Sequence, residues 1–240
     1  MHAPTPLLIP SDLLLLAYRN GIFPMADSRE DTEVFWVEPR RRGILPLDGF
    51  RLSKSLAKAV RQDRFRVTCN AAFAQVIDAC AAPRPDHPES WISGRIAASY
   101  RALHAEGHAH SIECWEGDEL VGGLYGVGFD AVFCGESMFS WRTDASKVAL
   151  AWLVAVMKRS GARLLDCQFM TGHLASMGAV EIAQARYVAL LGEASGDGAG
   201  AGSDVGAAAL PAAFGALLSE AVGAGVPPSK LILQSLTHTS

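Results

Sequence analysis

Leu164-Leu165-Asp166-Cys167-Gln168-Phe169 is apolar at both ends and polar between them. Apolar flanks over so short a run predict a buried strand. Side chains two apart on a strand share a face, so Asp166 and Gln168 point the same way out of an otherwise apolar segment. A buried carboxylate is costly without hydrogen-bond donors. The nearest donor in the sequence is the side-chain amide of Gln168. The pair reads either as a brace for a neighbouring loop or as a piece of chemistry held in place.

Working outward, Thr143 or Asp144 opens a long helix closed by Gly161, with Leu150, Leu153, Val154 and Met157 on its inner face. Before it lies a β-meander: His110 to Trp115, Glu119 to Val127 and Ala131 to Cys134, with turns between. Strand, helix, strand at this spacing predicts a right-handed parallel crossover. A meander feeding a crossover predicts a mixed sheet with packed helices, an α+β fold. Gly135-Glu136-Ser137-Met138-Phe139-Ser140 falls where the last meander strand ends and the helix is about to start. Ligand sites in such sheets lie at strand C-terminal ends, so Glu136 is either a site acid or an exposed loop acid. Gly122 to Gly128 is glycine-rich but lies within strands, which excludes a dinucleotide fingerprint. Close approach by a neighbouring backbone is the expectation there.

On the N-terminal side, Ser11 is expected to cap a helix from Asp12 to about Asn20, stopped by Gly21. A strand-like Glu33 to Val37 follows, then Pro39 and three arginines. Pro46 to Gly49 reads as a turn between two units. Ser53 or Ser55 opens a helix on which Lys54, Lys58 and Arg61 recur at i, i+4 and i+7, with Leu56 and Val60 on the other side. Arg64 to Thr68 alternates like a strand. Asn70 is expected to cap a helix presenting Phe73, Val76, Ile77 and Cys80. Pro83, Pro85 and Pro88 make an irregular loop, and Ile96, Tyr100 and Leu103 mark a further helix. A short helix is expected near Ala183 to Leu191. Ser195 to Ala209 is mostly Gly and Ala, with too few large apolar groups to fold, and Leu210 to Val222 reads as a weak helix. The division expected is a small N-terminal domain over 1–48, a mixed-sheet domain over 49–193 and a flexible extension over 194–240.

Half of the 240 residues are hydrophobic, enough for one good core, or one core and a smaller annex. The Leu13 to Leu16 run is too short to span a bilayer and no cation precedes it, so neither a membrane span nor a secretion signal is expected. Cysteines at 69, 80, 114, 134 and 167 form no C-x-x-C pair, so no zinc knuckle, disulfide framework or metal site is expected. His104, His108 and His110 complete no ligand spacing. These features predict a reduced, cytoplasmic protein. The net charge of −4 is uneven: from Arg40 to Arg66 nine Lys/Arg stand against two Asp, a local +7, leaving −11 for the remainder. Such asymmetry points to a polyanionic partner gripped by one surface. Trp36, Trp91 and Tyr100, near loops or helix surfaces, are core aromatics or platforms for nucleobases.

The ordered series Glu33 to Arg40, Leu52-Ser53-Lys54-Ser55, Arg66-Val67-Thr68, Asn70 with Phe73 and Gln75-Val76-Ile77, and Ser90-Trp91-Ile92 continues with Gly107 to Glu113, Glu119 to Gly123, Phe133 to Ser140, Ser146-Lys147 and Asp166-Cys167-Gln168. Over about residues 11–192 it closely resembles the leucyl/phenylalanyl-tRNA–protein transferases. The resemblance implies a GNAT-like domain behind a small N-terminal domain. It implies transfer of leucine, less often phenylalanine or methionine, from charged tRNA to a protein's N-terminal Arg or Lys, forming an N-degron. It further implies that Asp166 orients Gln168 in catalysis, with Glu136 lining the same site. The pocket for the transferred side chain would fall on Leu124, Phe133, Leu150, Leu153, Met157 and Leu165. Lys54, Lys58 and Arg61 would then meet tRNA phosphates, and Trp36, Trp91 and Tyr100 the 3′ end. The donor ester is already activated, so no cofactor is expected, and a monomer suffices. Two other readings compete: an acetyl-CoA acetyltransferase of GNAT type, which lacks its expected glycine loop at Phe139 to Ser146, and a non-catalytic RNA-binding module, which leaves Asp166, Gln168 and Glu136 unexplained.

Overall fold

Helix α1 (Ser11–Arg19) buries Leu14, Leu15 and Tyr18, which recur at helical spacing. Pro10 rather than Ser11 holds its N-cap position, and Gly21 leaves it at φ +76°. The chain then forms β1 (Phe23–Met25) and β2 (Phe35–Val37), an isolated antiparallel pair. The computed structural model describes residues 8–83, 89–195 and 209–237. Pro85, Pro88 and most of the Gly/Ala stretch, 196–208, lie outside these.

Among the described residues the main sheet has seven strands: β3 (Arg41–Leu45), β4 (Arg66–Cys69), β5 (Ala109–Glu116), β6 (Glu119–Phe129), β7 (Val132–Ser140), β8 (Leu164–Gln168) and β9 (Val180–Ala183). Their order is β4-β5-β6-β7-β8-β3-β9. The β7–β8 pair is parallel, bridged by α5 (Ala145–Ser160), and the other pairs are antiparallel. The predicted crossover and mixed sheet are therefore the observed ones. The three arginines after Pro39 open β3, inserted between β8 and β9. The boundary expected at residue 48 thus falls beyond a strand of the large sheet. Ile44 and Leu45 of β3 enter opposite cores, as alternation on a two-sided strand requires.

One sheet face is covered by α5 with α2 (Lys54–Arg61) and the short α6 (Gly172–Ser176); the other by α1, α3 (Phe73–Ala81), α4 (Gly94–Ala105) and α7 (Gln184–Ser195). Ser53 caps α2, its hydroxyl accepting the Leu56 N–H at 3.2 Å. Asn70 is not a helix cap: at φ 58° its side chain accepts the Ser111 N–H and meets His110, tying β4 to β5. A Cβ on Gly122 would collide with Ala145 at the start of α5, the close approach expected of the glycine-rich strand.

Helix α5 is buried on all sides, and a helix apolar all round needs a cover on both. The second cover is α8 (Leu210–Ala224) and α9 (Pro228–Thr237), which pack on it, with Trp152 and Phe214 rings 5.4 Å apart. The flexible extension expected over 194–240 is corrected here for 209–237. Leu210, Phe214, Leu217 and Ala221 form one buried stripe, joined by Leu231 and Ile232. The stripe has helical spacing, but the surrounding Gly/Ala composition hides it. Burying a large apolar side chain contributes about 1.5–3 kcal/mol. Truncation after residue 208 is therefore expected to lower Tm by several degrees and expose Trp152, read as a red shift of tryptophan emission. Unchanged Tm and emission would make the two helices dispensable.

Candidate active site

Two strand irregularities build the site. Strand β7 runs on through Ser140, so Gly135 to Ser140 is strand, not the loop expected from the sequence. Tyr125 pairs Ser137 and Gly126 pairs Gly135, which leaves Glu136 as the extra residue of a bulge. On β8 the pairs Gly43–Gln168 and Ile44–Asp166 leave Cys167 as the extra residue of a second bulge. Gln168 then turns into the left-handed region at φ 60°. A Cβ on Gly43 would lie 3.0 Å from the Phe169 carbonyl carbon, so a glycine accommodates the turn. The bulges aim Glu136 and Gln168 at one another, and the Gln168 Nε2 donates to Glu136 Oε1 at 2.8 Å.

This corrects the expected Asp166–Gln168 side-chain bond. A left-handed residue breaks the period of two on which that expectation rested. The Asp166 carboxylate instead accepts the backbone N–H of Gln168 at 2.8 Å. Its remaining donors come from far away in the chain. Arg42 Nε and Nη2 reach its two oxygens at 2.9 and 2.6 Å, and the Tyr187 hydroxyl donates at 3.0 Å. Four donors fill the carboxylate, a condition for keeping two charges buried. Arg42 is 1% exposed, lies between the rings of Phe23 and Tyr187 at 4.7 and 4.4 Å, and donates to the Gly21 carbonyl. It therefore does not belong to the surface basic run in which its sequence position counts it.

Glu136 is itself buried. It accepts from Tyr18 at 2.8 Å, from Gln168 at 2.8 Å and from Tyr100 at 3.1 Å. Burial pushes its carboxyl up to about 7 against the opposing pull of these donors. The Tyr18 and Tyr100 hydroxyls also touch. Glu136 and Gln168 line a cavity of about 280 Å³ together with the apolar Leu124, Leu150, Leu153 and Leu165, with Trp91, Met25 and His173 among the other lining residues.

Residues 44–192 match the sequence model described as leucyl/phenylalanyl-tRNA protein transferase, and residues 9–40 match that of its N-terminal domain. The chain belongs to this transferase family. A leucyl/phenylalanyl-tRNA–protein transferase of Novosphingobium aromaticivorans is 60% identical over 259 residues, covering 98% of this chain and 98% of its own. Those of Rhizorhabdus wittichii and Zymomonas mobilis are each 60% identical over 195 and 181 residues, covering 81% and 75% of this chain and 79% and 68% of theirs.

On this transferase scaffold the residues expected from the sequence separate into two groups. Glu136, Gln168, Leu124, Leu150, Leu153, Leu165 and Trp91 meet at the cavity. Phe133 and Met157 do not line it; both are fully buried in the core behind it. Asp166 does not line it either, being enclosed by Arg42 and Tyr187. Tyr100 has no exposed face, since its ring packs edge-on against Tyr125 and its hydroxyl is held by Glu136; it cannot stack on a base. Trp36 is 42% exposed on β2 and is not among the residues lining the cavity. Lys54, Lys58 and Arg61 are exposed along one side of α2. Sequence reasoning missed Tyr18, Arg42, Tyr187 and His173. Tyr18 reads as an ordinary core residue, Arg42 as surface charge. His173 has a buried Nε2 without a protein partner, and burial and Lys147 lower its pKa. Among the described residues no single helix is long and apolar enough to cross a membrane.

Proposed function

We propose that this chain transfers leucine, and less readily phenylalanine or methionine, from charged tRNA to the N-terminal Arg or Lys of proteins. The observation that carries the reading is the Gln168–Glu136 pair facing an apolar cavity in a member of this family. The ester linking an amino acid to the tRNA 3′ oxygen is already activated, so the protein's task is positioning, worth up to about 7–11 kcal/mol of barrier. Leu124, Leu150, Leu153 and Leu165 receive the aliphatic side chain. The amine nitrogen of the acceptor attacks the ester carbonyl, the C–N bond forms and the bond to the 3′ oxygen breaks. One amine proton is lost and the leaving oxygen gains one.

Gln168 is a poor base, because an amide takes up no proton near neutral pH. Its Nε2 is committed to Glu136, which leaves Oε1 to accept from the incoming amine and align it. Glu136, with a pKa near neutrality, suits the role of proton acceptor. Asp166 is a positioning residue: it holds the Gln168 backbone and is itself held by Arg42. Trp91 offers a ring for the terminal adenosine, and Trp36 is a further aromatic contact outside the cavity. Lys54, Lys58 and Arg61 hold tRNA phosphates, which carry no sequence information. The protein works in the cytoplasm as a monomer without a cofactor, and its product is marked for degradation by the new N-terminal residue.

The test uses purified full-length protein, radiolabelled Leu-tRNA and otherwise identical acceptors beginning with Arg or Met. Label is expected at the N-terminus of the Arg protein alone. Binding of tRNA without transfer would support an RNA-binding module instead, and label moving from acetyl-CoA would support an acetyltransferase.

A further inference from the structure

The family match ends at residue 192, yet α9 lies directly against α2, the helix of the basic stripe. A groove of about 400 Å³ lies along α9 where Arg61, the last residue of α2, meets it. Arg61 at the end of α2 and Lys230 in the first turn of α9 supply its two cations, with Ser229, Gln234 and Thr237 as neutral polar groups. Among the described residues no carboxylate lines it. Asp63 Oδ2 accepts the Ser229 hydroxyl at 3.0 Å. None of Lys54, Lys58, Arg61 and Lys230 pairs with a described carboxylate. Four exposed cations therefore stand on two abutting helices of a chain whose net charge is −4.

The placement is rigid. Leu231 and Ile232 of α9 and Leu56, Ala59 and Val60 of α2 are buried in the same core. Lys230 is thus held beside Arg61 by packing, not by a flexible arm. Lys54 to Arg61 covers about 10 Å of helix, and Lys230 continues the positive face beyond the end of α2. A protein acceptor with a cationic N-terminus would be repelled from such a face. A nucleic-acid backbone, with a negative charge at every nucleotide, is complementary to it.

We infer that the C-terminal helices are part of the tRNA-docking surface, with Arg61 and Lys230 clasping a backbone phosphate in the α2–α9 groove. The inference rests on aminoacyl-tRNA being the donor substrate. It gives the extension two duties, covering α5 and widening the phosphate-binding face.

The experiment measures binding of fluorescein-labelled leucine tRNA to the full-length protein over a series of salt concentrations, together with leucine transfer. Lys230→Glu is expected to weaken binding about tenfold and to reduce the slope of log K against log salt by about 1. Lys230→Arg should bind like the unmodified protein. Lys230 is exposed, so the melting temperatures should coincide. With leucyl-adenosine as donor, which has no stem phosphates, Lys230→Glu should transfer at the unmodified rate. An unmodified protein that transfers leucine from tRNA, beside a Lys230→Glu protein with the same affinity and salt slope, would overturn the groove and leave the substrate reading standing. An unmodified protein that neither binds nor transfers would overturn both.

Discussion

Arg42→Ala is expected to destabilise the protein by roughly 3–5 kcal/mol, the usual cost of leaving one partner of a buried ion pair uncompensated. Globular domains have only about 5–15 kcal/mol to lose, so the denaturation midpoint should fall far. The reason is the Asp166 carboxylate, fully buried and served by two Arg42 nitrogens at 2.9 and 2.6 Å. Removing the guanidinium also opens the space between Phe23 and Tyr187. Arg42→Lys should recover only part of the loss, because an ammonium cannot reproduce the two-pronged contact. The double change Arg42→Met with Asp166→Leu should regain stability over Arg42→Ala, since it leaves no unpaired charge. It should stay slow in transfer, because the Gln168 N–H has lost its acceptor. Urea denaturation with transfer assays on the four proteins checks this. A wild-type midpoint for Arg42→Ala would mean that water can replace Arg42 as the donor to Asp166.

The second large effect is on turnover. Gln168→Ala and Glu136→Gln should each lower kcat by about 10²-fold or more, the scale of losing one positioned polar group at a reacting centre, with KM nearly unchanged. The double variant should be scarcely worse than the worse single, because groups acting as a unit are non-additive. The pH profile separates the two. Glu136 carries its proton up to about pH 7 in the folded protein. A proton acceptor must be ionised, so kcat should rise with pH and level off above about 7. Gln168→Ala should keep an inflection at lower amplitude, displaced to higher pH because a donor to Glu136 is gone, and Glu136→Gln should lose it. Stability responds with the opposite sign. A raised folded pKa favours the fold below the ordinary carboxylate range, and this contribution fades as pH climbs through about 7. Glu136→Gln should remove that slope. A Gln168→Ala protein with normal turnover would end the catalytic reading of the pair.

Local pattern carried much of the fold. Helical spacing in α2 and α5, turn residues in the meander and the strand–helix–strand spacing are properties of neighbouring residues, legible without the rest of the chain. The family resemblance, rather than spacing, pointed to Glu136, Gln168 and six pocket residues, of which Leu124, Leu150, Leu153 and Leu165 line the cavity. What local pattern could not carry is pairing at long range. Arg42 and Asp166 lie 124 positions apart, and an arginine beside two others reads as surface charge until a sheet places it against an acid. The positive φ of Gln168 is equally hidden, since no residue near it signals a left-handed turn; only β3, entering beside β8 with Gly43, makes it possible. Tyr100 looked accessible because helical spacing does not say which side of a helix another layer covers. The C-terminal helices show the same limit. Their apolar stripe was present in the sequence, but whether a stripe folds depends on a second apolar surface, and the outer face of α5 exists only in the assembled fold.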